Sequence, residues 1–166
     1  MRDFFQQIDT ALRSNLYYVA LLGSLSVPDI CGALDSENGW ATEEKYKAWF
    51  DRYVAPACAG VITGEDCWRF RCAMLHQGSS QHPAGRYSRV VFVEPQAAGD
   101  VVLHCNILND ALNIDVGIFC SDILKGALAW LNKVEQTDRY QRNYARALRR
   151  YPQGLPPYIV GVPVIS

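Results

Sequence analysis

Residues 68–79 read Trp-Arg-Phe-Arg-Cys-Ala-Met-Leu-His-Gln-Gly-Ser. Two arginines, Arg69 and Arg71, stand seven and five positions before His76. A histidine can take up and release a proton near neutral pH. An arginine keeps its charge and presents a planar fork of donors that matches phosphate oxygens. The combination suits cleavage of a phosphodiester. Thr63-Gly-Glu-Asp66 is a capping-box start, so both arginines and the histidine should ride on one helix that stops at Gly78.

Arg71-x4-His76 with the following Gln77-Gly78 resembles the Arg-x4–6-His motif of the HEPN superfamily, helix-dominated proteins of toxin–antitoxin, antiviral-defence and RNA-processing systems. The resemblance covers the motif and the helices before it, about residues 1–80. It implies a metal-independent endoribonuclease without cofactor, acting as a homodimer whose two Arg–His sets face one RNA cleft. In such enzymes the 2′-hydroxyl of the RNA attacks the phosphate. Two readings stand beside it: an inactive HEPN-like module that binds RNA, nucleotides or a protein, and a defence component silenced by a cognate antitoxin. Arg69-x6-His76 fits the same spacing range. Helical geometry favours Arg69, because seven residues return to one face while five turn by roughly 140°. The look of the motif favours Arg71, although Cys72 stands where the family often carries a polar residue.

Other candidates are less specific. Residues 125–150 hold seven basic against two acidic residues, with Arg139, Arg142, Arg146 and Arg149 on one helical stripe and Tyr140, Tyr144, Leu148 and Tyr151 on another. An amphipathic surface helix explains the pattern, and a phosphate-binding stripe for RNA is the sharper alternative. Asp29 reads as a helix-start residue that could also orient an Arg–His pair. Cys67, Cys72 and His76 fall short of the tetrahedral set that zinc takes, so no metal site is read there. His82 and His104 read as incidental. Walker, Rossmann, HExxH and Gly-x-Ser-x-Gly patterns are absent.

The elements that must position these groups follow from periodicity. Phe5, Ile8, Leu12, Leu16 and Val19 recur at helical spacing and predict a helix over residues 2–22, stopped by Gly23. Ser26-Val-Pro-Asp29 predicts a fresh helix start over 27–35, and further helices are expected over 42–52 and 64–77. The period then shortens. Strands are expected near 89–94, 101–108 and 113–119 as an antiparallel meander, followed by helix from 121 to 150, capped by Ser121-Asp122 and renewed at Thr137-Asp138. Residues 158–165 read as an extended tail that Pro163 confines to an edge. The fold class is α+β: a HEPN-like helical bundle with a late antiparallel insert, as one domain over 1–166.

Composition agrees with a packed domain. The chain has 166 residues, 49% of them hydrophobic, enough to bury roughly 70% of the surface its unfolded form exposes. A net charge of −1 gives no global signal for nucleic acid, so any basic surface must be local. The six cysteines form no regular framework, and the N-terminus has no signal-peptide pattern, so reduced thiols and a cytoplasmic location are expected. The apolar run 16–25 is shorter than the ~20 residues of a membrane span, so no membrane partner is expected.

Overall fold

The computed structural model describes residues 1–95, 97 and 99–166. Its architecture is mixed α and β. Helices α1 (Arg2–Arg13), α2 (Tyr17–Leu34), α3 (Glu43–Tyr53) and α4 (Gly64–Gln77) come first. Strands β1 (Arg89–Val93), β2 (Asn106–Leu108) and β3 (Ala111–Asp115) follow, then α5 (Val116–Val134) and α6 (Asp138–Tyr144). Two small ladders close the chain: β4 (Arg150–Tyr151) with β7 (Val164–Ile165), and β5 (Gly154–Leu155) with β6 (Ile159–Val160).

The expected stop at Gly23 is absent, and so is the start at Ser26. The first break falls instead at Ser14-Asn15-Leu16, where Asn15 takes a left-handed φ of 57°. Asparagine tolerates that conformation because its short side chain bonds locally. Helix α2 then runs through both Gly23 and Pro28. Gly23 lies inside a close crossing: a Cβ there would sit 2.8 Å from Cγ1 of Ile8 in α1. Pro28 withholds the N–H that Ser24's carbonyl would receive. Tertiary burial offsets that loss, since Ala20, Leu21, Ser24, Leu25, Val27 and Cys31 are all buried. Each large apolar side chain removed from water contributes on the order of 1.5–3 kcal/mol. Helix α2 is also long and apolar enough to cross a membrane by length and composition, with half of it buried in the core.

The meander is corrected as well. Residues 101–105 lie outside any strand, and β2 holds only residues 106–108. A tight turn at Asn109-Asp110, both with positive φ (49° and 62°), folds β2 antiparallel onto β3. The segment after β1 therefore carries the chain to the far side of β3, and β1 pairs with β3 in parallel, Arg89 opposite Ala111. The sheet order is β1-β3-β2. Strand β3 ends where Asp115 caps α5, its carboxylate accepting from the Ile118 N–H at 2.9 Å. Ser121 and Asp122 thus sit inside α5 rather than at its start, and the strand expected over 113–119 becomes 111–115. Helix α6 ends at Tyr144, not at 150, which leaves Arg146 and Arg149 outside the helix.

Core side chains come from α1 to α6 and β3 together, the largest fully buried ones being Trp130, Tyr46, Phe50 and Phe119. Asn143 joins α6 to the end of α2: its Nδ2 donates to the carbonyls of Leu34 (3.0 Å) and Ser36 (2.7 Å), acceptors that the end of α2 leaves open. The cysteines depart from the expected reduced set. Cys58, in the short turn Ala55–Cys58, is disulfide-bonded to Cys105 across 47 residues. That pairing depends on how residues 101–105 dock, which spacing does not reveal. Cysteine usage therefore carries no argument for a reducing compartment.

Candidate active site

Helix α4 is fixed at both ends. Thr63 Oγ1 accepts from the Asp66 N–H, and the Asp66 carboxylate accepts from the Thr63 N–H at 3.0 Å, a reciprocal capping box. Gly64 lets the helix start approach α3: a Cβ there would meet the Lys47 carbonyl oxygen at 2.5 Å. The same glycine donates its N–H to Asp51 at 2.6 Å. At the other end Gly78 takes a left-handed φ of 63° and closes the helix.

Between these anchors Cys67, Phe70 and Ala73 face the core. Cys67 Sγ lies 3.3 Å from the Tyr46 hydroxyl, and the Phe70 ring packs 4.9 Å from that of Phe92. That packing turns Arg71 toward α2. The Arg71 guanidinium donates from Nε to Asp29 Oδ2 at 2.9 Å and pairs through Nη2 with the same oxygen at 2.7 Å. Both side chains are mostly buried, 19% and 17% exposed. Trp68, three positions earlier on α4, places its ring under the guanidinium at 4.9 Å, a cation–π contact. Burial pushes the Asp29 carboxyl above its ordinary value, and the charge and hydrogen bonds of Arg71 pull it back in part.

One guanidinium nitrogen remains for other work. Arg71 Nη1 approaches His76 Nε2 at 3.5 Å and Cys72 Sγ at 3.8 Å. Arginine has only donors, so a hydrogen bond across this contact has His76 Nε2 as its acceptor. His76 is exposed. The arrangement is an imidazole nitrogen and an anchored cation, side by side on an open face.

Of the two arginines, the structure brings Arg71 beside His76. Arg69 points elsewhere: its guanidinium pairs with Glu65 at 2.8 Å and donates to the Ala84 carbonyl in the loop after α4. The length of the arginine side chain spans the angular gap that five helical residues leave. Asp29 lies inside α2 rather than at a helix start, and it meets Arg71 there.

The basic stripe is divided. Arg139 pairs with Glu37 at 2.6 Å and Asp35 at 3.5 Å, and Arg142 reaches Glu37 at 3.5 Å. Arg146 and Arg149, beyond the end of α6, have no acidic partner among the described residues and border a cavity of about 730 Å³. Asp29, Arg71 and His76 do not line that cavity. His82 Nδ1 accepts from the Ala84 N–H within its loop, a structural contact. His104 Nε2 lies 3.3 Å from Cys58 Sγ, and burial lowers its pKa against the pull of Asp122 and Asp115. Cys58, His104 and Cys105 offer three ligand atoms within 4.8 Å of one another, two of which the disulfide holds.

Trp68 and the apolar residues of α1 and α2 around the cavity are absent from the candidates read in the sequence, whereas Arg146 and Arg149 on its rim are among them. Trp68 had a usable signal, its i, i+3 spacing to Arg71. The cavity had none, because it joins α1, the end of α2 and the C-terminal ladder. No protein-family model matches the chain, and no curated protein or solved structure is significantly similar to it.

Proposed function

We propose that this chain is a HEPN-like endoribonuclease that cleaves RNA through its own 2′-hydroxyl, with His76 as the proton-transfer group and Arg71 as the phosphate-holding charge. The observation that carries the reading is Arg71 Nη1 at 3.5 Å from His76 Nε2, with Nε and Nη2 held by Asp29. A fixed guanidinium with one free edge beside an imidazole nitrogen is preorganised for charge that builds on a phosphate.

In this mechanism His76 Nε2 takes the proton of the 2′-hydroxyl as that oxygen attacks phosphorus. The bond from phosphorus to the 5′-oxygen breaks, and the 5′-oxygen leaves with a proton. Arg71 Nη1 donates to a nonbridging oxygen throughout. The products are a 2′,3′-cyclic phosphate and a 5′-hydroxyl end. The homodimer implied by the family resemblance would supply the second acid–base group from His76 of the partner subunit. General acid–base catalysis contributes on the order of 10²–10⁴-fold, so His76→Ala should lose about that factor. The test is incubation of purified protein with labelled single-stranded RNA in EDTA, with a DNA strand of the same sequence as control. Cleavage of RNA but not DNA, lost in His76→Ala, supports the reading.

One observation favours a second reading. Arg71 is already neutralised by Asp29, as a structural arginine would be. An inactive module would bind RNA in the same assay without cutting it.

A further inference from the structure

The cavity of about 730 Å³ lies apart from the Arg71–His76 face and within the roughly 300–1,000 Å³ range of small-molecule sites. Its inner surface is apolar, with Phe4 of α1, Ile30, Ala33 and Leu34 of α2, and Ala147. Trp40, from the loop between α2 and α3, forms an aromatic wall and is 73% exposed. A tryptophan left in water beside an apolar hollow has surface to bury.

The rim has the opposite character. Arg146, Arg149 and Arg150 border the cavity, against one carboxylate, Asp3. None of the three arginines has an acidic partner among the described residues, whereas Arg139 and Arg142 on the neighbouring helix do. Arg149 is preset. Its Nε donates to the Tyr151 hydroxyl at 2.8 Å, and the guanidinium stacks over the Tyr144 and Tyr151 rings at 5.7 and 5.0 Å. Backbone bonds in both directions between Arg149 and Ser166 (2.9 and 3.1 Å) hold that segment in place. Arg146 donates from Nη2 to Asn143 Oδ1 at 3.0 Å, and Gly39 leaves it room, since a Cβ there would sit 2.9 Å from that nitrogen.

We propose that this cavity is a binding site for a small amphipathic anion: an apolar chain or ring buried against Phe4, Ile30 and Trp40, with one carboxylate or phosphate head held by Arg149 and its neighbouring arginines. The apolar interior takes the body by area burial, and the forked donors take the head. The inference stands independently of the RNA-cleavage reading.

The test uses the full chain and anilinonaphthalene sulfonate, an aromatic anion whose fluorescence rises in apolar surroundings. Saturable binding is expected, displaced by decanoate and by decyl phosphate, which separates the two head groups. Decanol, with the same chain and no charge, should compete at least about tenfold less well. Arg149→Ala should weaken binding by roughly 10- to 100-fold, the scale of one charge-assisted hydrogen bond. Ala147→Phe, which fills the cavity and leaves the arginines in place, should abolish it. Both variants are first checked for a wild-type melting curve; should Arg149→Ala not fold, Arg150→Ala and the decanol comparison decide. Equal competition by decanol and decanoate would overturn the charge assignment. Unchanged binding in Ala147→Phe would overturn the location, and stronger competition by AMP than by decanoate would overturn the apolar body. A folded protein that takes up no dye at any concentration would overturn the proposal entirely.

Discussion

Replacing Arg71 with lysine separates charge from geometry at the candidate active site. The guanidinium does two things at once: Nε and Nη2 hold Asp29 Oδ2 at 2.9 and 2.7 Å, while Nη1 reaches toward His76 at 3.5 Å. A lysine has one nitrogen and cannot occupy both positions. Arg71→Lys keeps a counter-charge for Asp29 but loses one of two hydrogen bonds and the Trp68 contact, so the fold should lose about 1 kcal/mol, less than the alanine variant. Arg71→Ala leaves a carboxylate that is 17% exposed without its partner, which costs about 1–3 kcal/mol. For a chain of 166 residues each kcal/mol moves the melting temperature by roughly 2–4 °C, so the alanine variant should melt several degrees lower. That deficit depends on pH. Asp29's folded pKa is already raised by burial, and removing Arg71 raises it further. A raised carboxyl pKa means the folded state takes up the proton first as pH falls. The deficit is therefore full above the folded pKa and shrinks as pH drops through it toward the ordinary carboxylate range. In the RNA assay, both variants should lose about 10²–10³-fold, as when a preorganised donor is removed. Melting curves from pH 4 to 8 and cleavage rates on one set of proteins decide the matter. A lysine variant that cleaves RNA within tenfold of wild type would refute the fork argument, and an alanine variant with wild-type stability at every pH would refute the ion pair.

Three further outcomes follow from the packing. Reducing the Cys58–Cys105 disulfide, or replacing it by Cys58→Ser with Cys105→Ser, should destabilise the protein by up to about 4 kcal/mol for a 47-residue separation, read as a fall in denaturant midpoint; an unchanged midpoint would count against the bridge. In the folded, non-reduced protein, iodoacetamide should label Cys72 and spare Cys31, Cys67 and Cys120, which are buried, with burial pushing the Cys67 and Cys120 thiols up to about 12 and about 11; mass spectrometry of labelled peptides checks this. If two Arg–His sets meet in one cleft, light scattering should give a dimer at tens of micromolar, and a charge reversal beside His76 should shift it toward monomer.

The helix that carries the site was legible because its punctuation is local. Thr63 and Asp66 cap α4 and Gly78 closes it, where the sequence places them. Thr42 likewise caps α3 one residue from the expected start, accepting from the Lys45 N–H. Local signals failed where burial overrode them. Gly23 and Pro28 look like a boundary, yet α2 is continuous because its buried side chains outweigh one missing hydrogen bond. Strand β1 was visible from its period, but alternation over 101–108 extended β2 by five residues too many, and the parallel pairing of β1 with β3 depends on a crossover that alternation does not encode. At the site, Arg69 and Arg71 both satisfied the spacing. What separates them is tertiary: Glu65 and the Ala84 carbonyl hold one, Asp29 holds the other. The division of the basic stripe was hidden for the same reason, since Glu37 and Asp35 lie about a hundred residues from Arg139.

The most direct measurement is cleavage of labelled single-stranded RNA by the purified protein in EDTA, with the product ends analysed. Attack by the 2′-hydroxyl with His76 moving the proton predicts fragments ending in 2′,3′-cyclic phosphate, no cleavage of a strand with 2′-deoxyribose at the scissile position, and loss of about 10²–10⁴-fold in His76→Ala. Cleavage that persists in His76→Ala, or products ending in 3′-hydroxyl, would contradict it.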